Sequence, residues 1–162
     1  MTSTRDRGRT SLAAVVVTLA VLIAAAPVTA GSPPQPVEIE SVMVVGGDAN
    51  VGDFERTSGS DLICDQGSVT DTRYVWGASQ GRGGNPNGLQ LQVDKTFDCG
   101  DGLLFLRLEI QGVLADETFI WTVVGGTGPY AGVHGRGDGW TDTSNFDTCS
   151  CVTNYYSGFL VG

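Results

Sequence analysis

The chain has 162 residues, with nine basic and 18 acidic side chains and a formal net charge of −9 at pH 7. This length predicts a single ordinary domain. The excess of carboxylates argues against proteins that bind nucleic acid through phosphate contacts, because like charges repel. We therefore expect a small acidic domain with no nucleic-acid partner.

The first 30 residues have the pattern of a secretory signal peptide. Arg5, Arg7 and Arg9 precede an uncharged apolar run, Leu12–Ala26, and small residues follow at 28–30. The run is shorter than the about 20 residues that span a bilayer. We expect cleavage after residue 30, a secreted protein, and no membrane association after cleavage. Residues 31–162 would then carry a net charge of −11.

The remaining chain reads as short strands without helical periodicity. Residues 31–36, GSPPQP, are rich in proline and predict a flexible lead-in. The candidate strands that follow lie at 37–45, 88–97, 103–112, 118–124 and 153–162. Alternating apolar and polar residues about ten positions apart, with Gly, Asp and Asn between the runs, predict an antiparallel sheet. Residues 37–162 are thus expected to form one all-β domain, a barrel or a sandwich.

Some polar residues on these strands allow two interpretations. Arg107 and Glu109 alternate with leucines and face either solvent or the barrel interior, and the pattern favours solvent. His134, the only histidine, is able to exchange a proton near neutral pH, but an ordinary strand position is the more common role.

Four cysteines in an exported chain predict disulfides. Cys64 and Cys99 each end an apolar stretch, and we favour their pairing. Cys149 and Cys151, two residues apart, would face the same side of a strand. They bond each other, bond another chain, or stay reduced. Because a metal site would need histidine ligands that this neighbourhood lacks, no metal is expected.

The glycine-rich stretch from Thr118 to Trp140 has three interpretations. A phosphate-binding loop would need a helix after its glycines, and this stretch has too many glycines for a helix. An adhesion tripeptide, Arg136-Gly137-Asp138, would need an exposed loop tip, whereas its surroundings read as strand. The third interpretation is a hairpin corner, in which glycines permit a tight turn and a strongly curved strand. We favour the corner.

The turn at this corner resembles a known motif. The segment GGTGPYAGVHGRG, Gly125–Gly137, is similar to the signature of the allene oxide cyclase and dirigent barrel superfamily, in which a Gly-Gly-Thr/Ser-Gly-x-Phe/Tyr turn leads into a Gly-rich strand. Secreted bacterial proteins with this barrel are also similar. The residues that carry the resemblance are Gly125, Gly126, Thr127, Gly128, Tyr130, Gly132 and Gly135.

The resemblance implies an eight-stranded antiparallel β-barrel whose mouth binds a small hydrophobic molecule, with no cofactor. It also implies a homo-oligomer, since plant members are often trimers. A glutamate on the first strand steers epoxide opening in the cyclase, and Glu38 occupies the matching position. Glu40 stands where the family has asparagine. Two carboxylates on one face would raise the pKa of at least one of them, unless both point outward into water.

Three functions follow from these patterns. The first is a secreted barrel that binds a small hydrophobic ligand and steers its cyclisation or isomerisation, with Glu38 and Glu40 as candidate catalytic residues. The second is a non-catalytic extracellular interaction or structural barrel, because fold does not determine function. The third is a thiol-linked oligomer or redox role for Cys149 and Cys151.

Overall fold

The chain forms a closed antiparallel barrel of eight strands. A computed structural model describes residues 32–78, 89–111 and 117–162. Each strand pairs with its neighbours in sequence, and β1 also pairs with β8 to close the sheet. The strands are β1 (Gln35–Val44), β2 (Val51–Gly59), β3 (Gln66–Ala78), β4 (Leu89–Asp98), β5 (Leu103–Gln111), β6 (Thr118–Gly126), β7 (His134–Asp142) and β8 (Cys151–Val161). The predicted all-β barrel of about eight strands is therefore confirmed.

Very little of the described chain is helical. One 3-10 turn covers Gly128–Tyr130, and a four-residue helix, α1 (Phe146–Cys149), precedes β8. β1 begins at Gln35, so the last two residues of the predicted lead-in, 31–36, belong to the first strand. Pro36 lies opposite Phe159 of β8. The predicted signal peptide, residues 1–30, lies outside the described residues.

Alternation along the strands fills the middle of the barrel with large side chains. Leucines 104, 106 and 108 of β5 face inward and are each about 1% exposed. Arg107 and Glu109 lie on the other face of that strand, as the alternation predicted. At the centre, Phe97 packs edge-on against Phe54 and Tyr156, with ring centroids 4.8 and 5.8 Å away. The central section is thus filled by packed side chains.

The Gly-rich corner has the predicted role. Gly135, Gly137 and Gly139 present the inner face of β7, and the indole of Trp121 lies against this face. A Cβ at Gly137 would lie 2.7 Å from Trp121 Cε2 and would also collide with the Ser157 carbonyl oxygen. Small residues are therefore required where the ring packs.

The turn before β7 differs in detail from the expected strand. Tyr130 is buried in the 3-10 turn, and its hydroxyl lies 3.1 Å from Asp101 Oδ1. Gly128 has φ +57°, which favours glycine. Thr127 Oγ1 accepts a hydrogen bond of 2.9 Å from the Leu103 amide. The motif therefore ties the β6–β7 turn to the start of β5.

Both pairs of cysteines form disulfides. Cys64 and Cys99 are bonded, with Cα atoms 5.8 Å apart, which confirms the favoured pairing. This bond lies at the end of the barrel where β1 begins and β8 ends. Cys149 and Cys151 bond each other. They do not share a strand as expected, because Cys149 ends α1 and Cys151 begins β8.

Candidate functional site

The described part of the barrel is open at the end where β1 and β3 finish. A cavity of about 470 Å³ lies there, above the aromatic centre. This volume is in the range of small-molecule sites. We call it the mouth cavity. Its apolar lining consists of Met43, Val45, Leu91, Val93, Leu108, Ile110, Phe146 and Val152, and its polar lining of Asn50, Asp71, Tyr74, Lys95, Glu117, Thr141, Thr143, Asp147 and Asn154.

A buried ion pair forms part of the polar floor of this cavity. Lys95 of β4 lies directly opposite Asp71 of β3 in the register, and both side chains point inward. Lys95 Nζ donates to Asp71 Oδ1 over 2.5 Å. Each side chain is only 5% exposed. Because charges lose hydration on burial, such a pair requires close contact and additional hydrogen bonds.

Asp71 receives these additional bonds from two neighbours. The Tyr74 hydroxyl donates to Asp71 Oδ2 over 2.6 Å, and Asn50 Nδ2 donates to the same oxygen over 3.0 Å. The Asn50 carbonyl also accepts from the Asp71 amide at 2.9 Å. The carboxylate is therefore held by three side-chain donors from three different parts of the barrel.

An irregularity in β3 makes this geometry possible. The pairing of β3 with β4 shifts register between Asp71 and Arg73. In a regular strand, residues three positions apart face opposite sides of a sheet. The shift brings Asp71 and Tyr74 to the same side, so both face the cavity. Bulges commonly redirect side chains in this way near functional sites.

The phenol of Tyr74 is held in its protonated state. Burial, together with the hydrogen bond to the Asp71 carboxylate, raises the pKa of Tyr74 well above its usual value. Tyr74 therefore acts as a hydrogen-bond donor at physiological pH. About 42% of the residue remains exposed, so the ring also borders the opening.

A second polar network lies beside the ion pair. Thr141 Oγ1 donates to Asn154 Oδ1 over 2.9 Å, and Asn154 Nδ2 lies 3.5 Å from Ser41 Oγ. Ser41 Oγ is in turn 3.4 Å from the Tyr156 hydroxyl. Burial raises the pKa of Tyr156, and the positive charge of Lys95 opposes this effect. The solid aromatic centre is thus capped by polar groups that satisfy one another.

The two candidate catalytic glutamates lie on the outer face of β1. Glu38 is exposed and accepts a hydrogen bond of 2.9 Å from Ser58 Oγ. Glu40 is half-buried and borders an external groove of about 520 Å³ together with Asp53 and Glu55. This is the outward orientation, the second of the two alternatives given by the sequence. Catalysis by these residues stays a prediction, and it would take place outside the mouth cavity.

The other candidate positions are also on the surface. His134 is exposed at the start of β7, and Arg136 and Asp138 lie on the outer face of the same strand and not at a loop tip. Among the described residues, no group of three or more His, Cys, Asp or Glu side chains is arranged to hold a metal ion. No helix within the described ranges is long and apolar enough to cross a bilayer.

The ion pair of the mouth cavity was missed by the sequence reasoning, although β4 contained a signal for it. Leu91, Val93 and Phe97 mark one face of that strand, and Lys95 falls on the same face. A charged residue on an apolar face is a marker of a buried polar site.

No protein-family model, curated protein or solved structure matches this chain.

Proposed function

We propose that this chain is a secreted barrel that binds a small, mostly apolar molecule in the mouth cavity. The observation that carries the proposal is a cavity of about 470 Å³ with apolar walls above a buried Lys95–Asp71 pair. Ligand sites in proteins combine such walls with a few fixed polar groups that orient the ligand. The solid aromatic centre gives the cavity a rigid base.

Steering of a reaction would follow from the same geometry. A cavity that holds one conformer of a flexible ligand brings its reacting atoms together without a cofactor. The resemblance to the cyclase and dirigent barrels suggests cyclisation or isomerisation as the reaction class. Lys95 is placed to hold the polar end of the ligand, whereas Glu38 and Glu40 face away from the cavity. We therefore assign the positioning role to Lys95.

Secretion is part of the proposal. The predicted signal peptide supports it, and the two disulfides are compatible with an extracellular protein.

Binding of a neutral fluorescent dye, Nile red, tests the proposal. Ile110→Trp would fill part of the mouth cavity, because Ile110 lines it. Ile120→Trp is the matched control, since Ile120 is 48% exposed and lies on the outer face of β6. We expect the wild type and Ile120→Trp to bind the dye equally and Ile110→Trp to bind at least about tenfold more weakly. Equal binding by all three proteins would refute the proposed site.

Native mass spectrometry of protein purified from its producing host provides the identity of the ligand. The mass of a retained molecule would reveal the natural ligand, and the same spectrum gives the number of subunits. The trimer implied by the resemblance is tested by this count.

An extracellular interaction protein is the second candidate. It is favoured by aromatic side chains on the outer faces of β7 and β8. Trp140 stacks on Tyr155 with ring centroids 4.3 Å apart, and Trp140 and Phe159 are 49% and 54% exposed. Contiguous exposed apolar patches often mark contact surfaces. If this function is correct, the double variant Trp140→Ser with Phe159→Ser should abolish self-association of the protein, measured by sedimentation velocity. The same variant should leave binding of Nile red unchanged.

A further inference from the structure

Lys95 has hydrogen-bonding capacity left at the cavity floor. Its ammonium group carries three N–H donors. Asp71 Oδ1 is the hydrogen-bond acceptor that contacts Nζ among the residues that the structure describes. Lys95 also lines the cavity. Hydrogen bonds to a charged group are stronger than those between neutral groups, so a ligand oxygen that accepts from Nζ would gain substantial affinity.

Asp71 is less available to a ligand than Lys95. Its two oxygens already accept from Lys95, Tyr74 and Asn50. The carboxylate therefore fixes the ammonium group in position and leaves Lys95 as the group that meets the ligand. Tyr74 is likewise engaged, because its hydroxyl proton points to Asp71.

The charges around the cavity disfavour ionised ligands. Carboxylates of Asp71 and Asp147 line the cavity, and Lys95 is the cation among the described lining residues. A carboxylate ligand would meet this negative excess and, beyond it, a chain with a net charge of −9. A cationic ligand would be attracted to the rim but repelled by Lys95 at the floor. A neutral acceptor oxygen, such as that of a carbonyl group, avoids both costs.

We propose that the ligand of the mouth cavity is a neutral molecule with an apolar body and a carbonyl-type oxygen that accepts a hydrogen bond from Lys95. This inference rests on the proposed function, since it assumes that the cavity binds a small molecule. The apolar walls contributed by Met43, Val93, Leu108 and Ile110 then surround the body of the ligand. The carbonyl end lies deepest in the barrel.

Four phenylbutane probes of nearly equal size separate the possibilities. They are 4-phenylbutan-2-one, 4-phenylbutanoate, 4-phenylbutan-2-amine and n-butylbenzene, measured by displacement of Nile red at pH 7. We expect the ketone to bind about tenfold or more tightly than the other three, because one charge-assisted hydrogen bond contributes about this factor. The carbonyl stretch of bound ¹³C-labelled ketone should also move to lower wavenumber, as expected for a hydrogen-bonded carbonyl.

Lys95→Met retains the length of the side chain and removes the donor. It should reduce ketone affinity to that of n-butylbenzene and abolish the infrared shift. If Lys95→Met does not fold, Asp71→Asn with Lys95→Met removes both charges and tests the same point. The matched control is Arg107→Met with Asp94→Asn, which removes an ion pair from the outer face of the adjacent strands β5 and β4. This control should bind the ketone like the wild type.

The outcomes distinguish this inference from the proposed function. Equal affinity for the ketone and n-butylbenzene, or tighter binding of either ion, would overturn the carbonyl inference and leave a binding cavity. An infrared shift that persists without Lys95 would also overturn it. If none of the four probes displaces the dye and Ile110→Trp binds the dye like the wild type, the proposed function itself fails.

Discussion

Breaking the buried pair should be far more destabilising than removing it. In Asp71→Asn, the Lys95 ammonium group would remain only 5% exposed without a counter-charge. Leaving one member of a buried ion pair uncompensated costs about 3–5 kcal/mol. Lys95→Met should cost less, about 2–3 kcal/mol, because Tyr74 and Asn50 still donate to the Asp71 carboxylate.

The double variant Asp71→Asn with Lys95→Met should lose only about 1–2 kcal/mol, since pairs replaced by neutral groups of similar volume are often near neutral in stability. The two single changes together would then exceed the double change by about 3 kcal/mol or more, which is the coupling energy of the pair. Urea unfolding of the four proteins, followed by circular dichroism, gives each free energy of unfolding.

An internal control is present on the outer face of the same strand. Asp94, next to Lys95, pairs with Arg107 over 2.8 Å, and the two side chains are 20% and 37% exposed. The hydrogen bond from Arg107 lowers the pKa of Asp94. Exposed pairs contribute about 0.2–1 kcal/mol, so the corresponding cycle should give a coupling of about 1 kcal/mol or less. Equal coupling energies for the inner and outer pairs, or additive effects at Asp71 and Lys95, would refute the buried position of the pair.

Three other properties can be measured on the same proteins. Replacing Cys64 and Cys99 by alanine opens a loop with a sequence separation of 35 and should lower the free energy of unfolding by about 4 kcal/mol in urea; a loss below about 1 kcal/mol would contradict this. Gly137→Ala should destabilise the fold by about 3 kcal/mol or more through the collision at the inner face of β7. Gly132→Ala is the control, because a Cβ at this position meets nothing within 4 Å, and it should be neutral or slightly stabilising. Equal changes in the melting temperature of the two variants would count against tight packing on β7. Burial raises the pKa of all four tyrosines above their usual value of about 10, so absorbance at 295 nm should show less than half of the tyrosine ionised in the folded protein at pH 10. This contribution to stability is present below pH 10 and is lost as the pH rises above it, because tyrosines in the unfolded chain ionise at about pH 10. A folded protein that titrates all four tyrosines near pH 10 would contradict the burial.

The barrel could be predicted because its determinants are local. Alternation along the strand at 103–111 identified the inward leucines and the outward Arg107 without any tertiary information. Glycines at alternate positions of β7 indicated a strand with small residues on one face, and Trp121 packs there. The pairing of Cys64 with Cys99 was also predicted, because each ends an apolar stretch of sequence; Cys64 lies in the turn before β3 and Cys99 just after β4, at one end of the barrel.

The candidate site was harder to predict because it depends on register. The inward position of Lys95 has a signal in β4, but its partner does not, because Asp71 and Lys95 face each other only through the pairing of β3 with β4. The shift in register after Asp71 also has no marker in the sequence. Simple alternation from Asp71 would place Tyr74 on the opposite face of the sheet. For Glu38, the local sequence pattern and the family resemblance pointed to different faces of β1. Its alternation with the buried residues Val37 and Ile39 indicated the outer face, whereas the resemblance implied a role in the cavity.

A buried ion pair is weak evidence for stability, and this makes Lys95 and Asp71 informative about function. Replacing such a pair by neutral groups often leaves stability unchanged or raises it. A pair that contributed only to folding could therefore be replaced as a whole with little loss of stability. Both Lys95 and Asp71 line the mouth cavity, where the proposed ligand would bind. If the double variant loses only about 1–2 kcal/mol of stability but no longer prefers the ketone probe, binding is the stronger reason for the pair, because folding alone depends on it little.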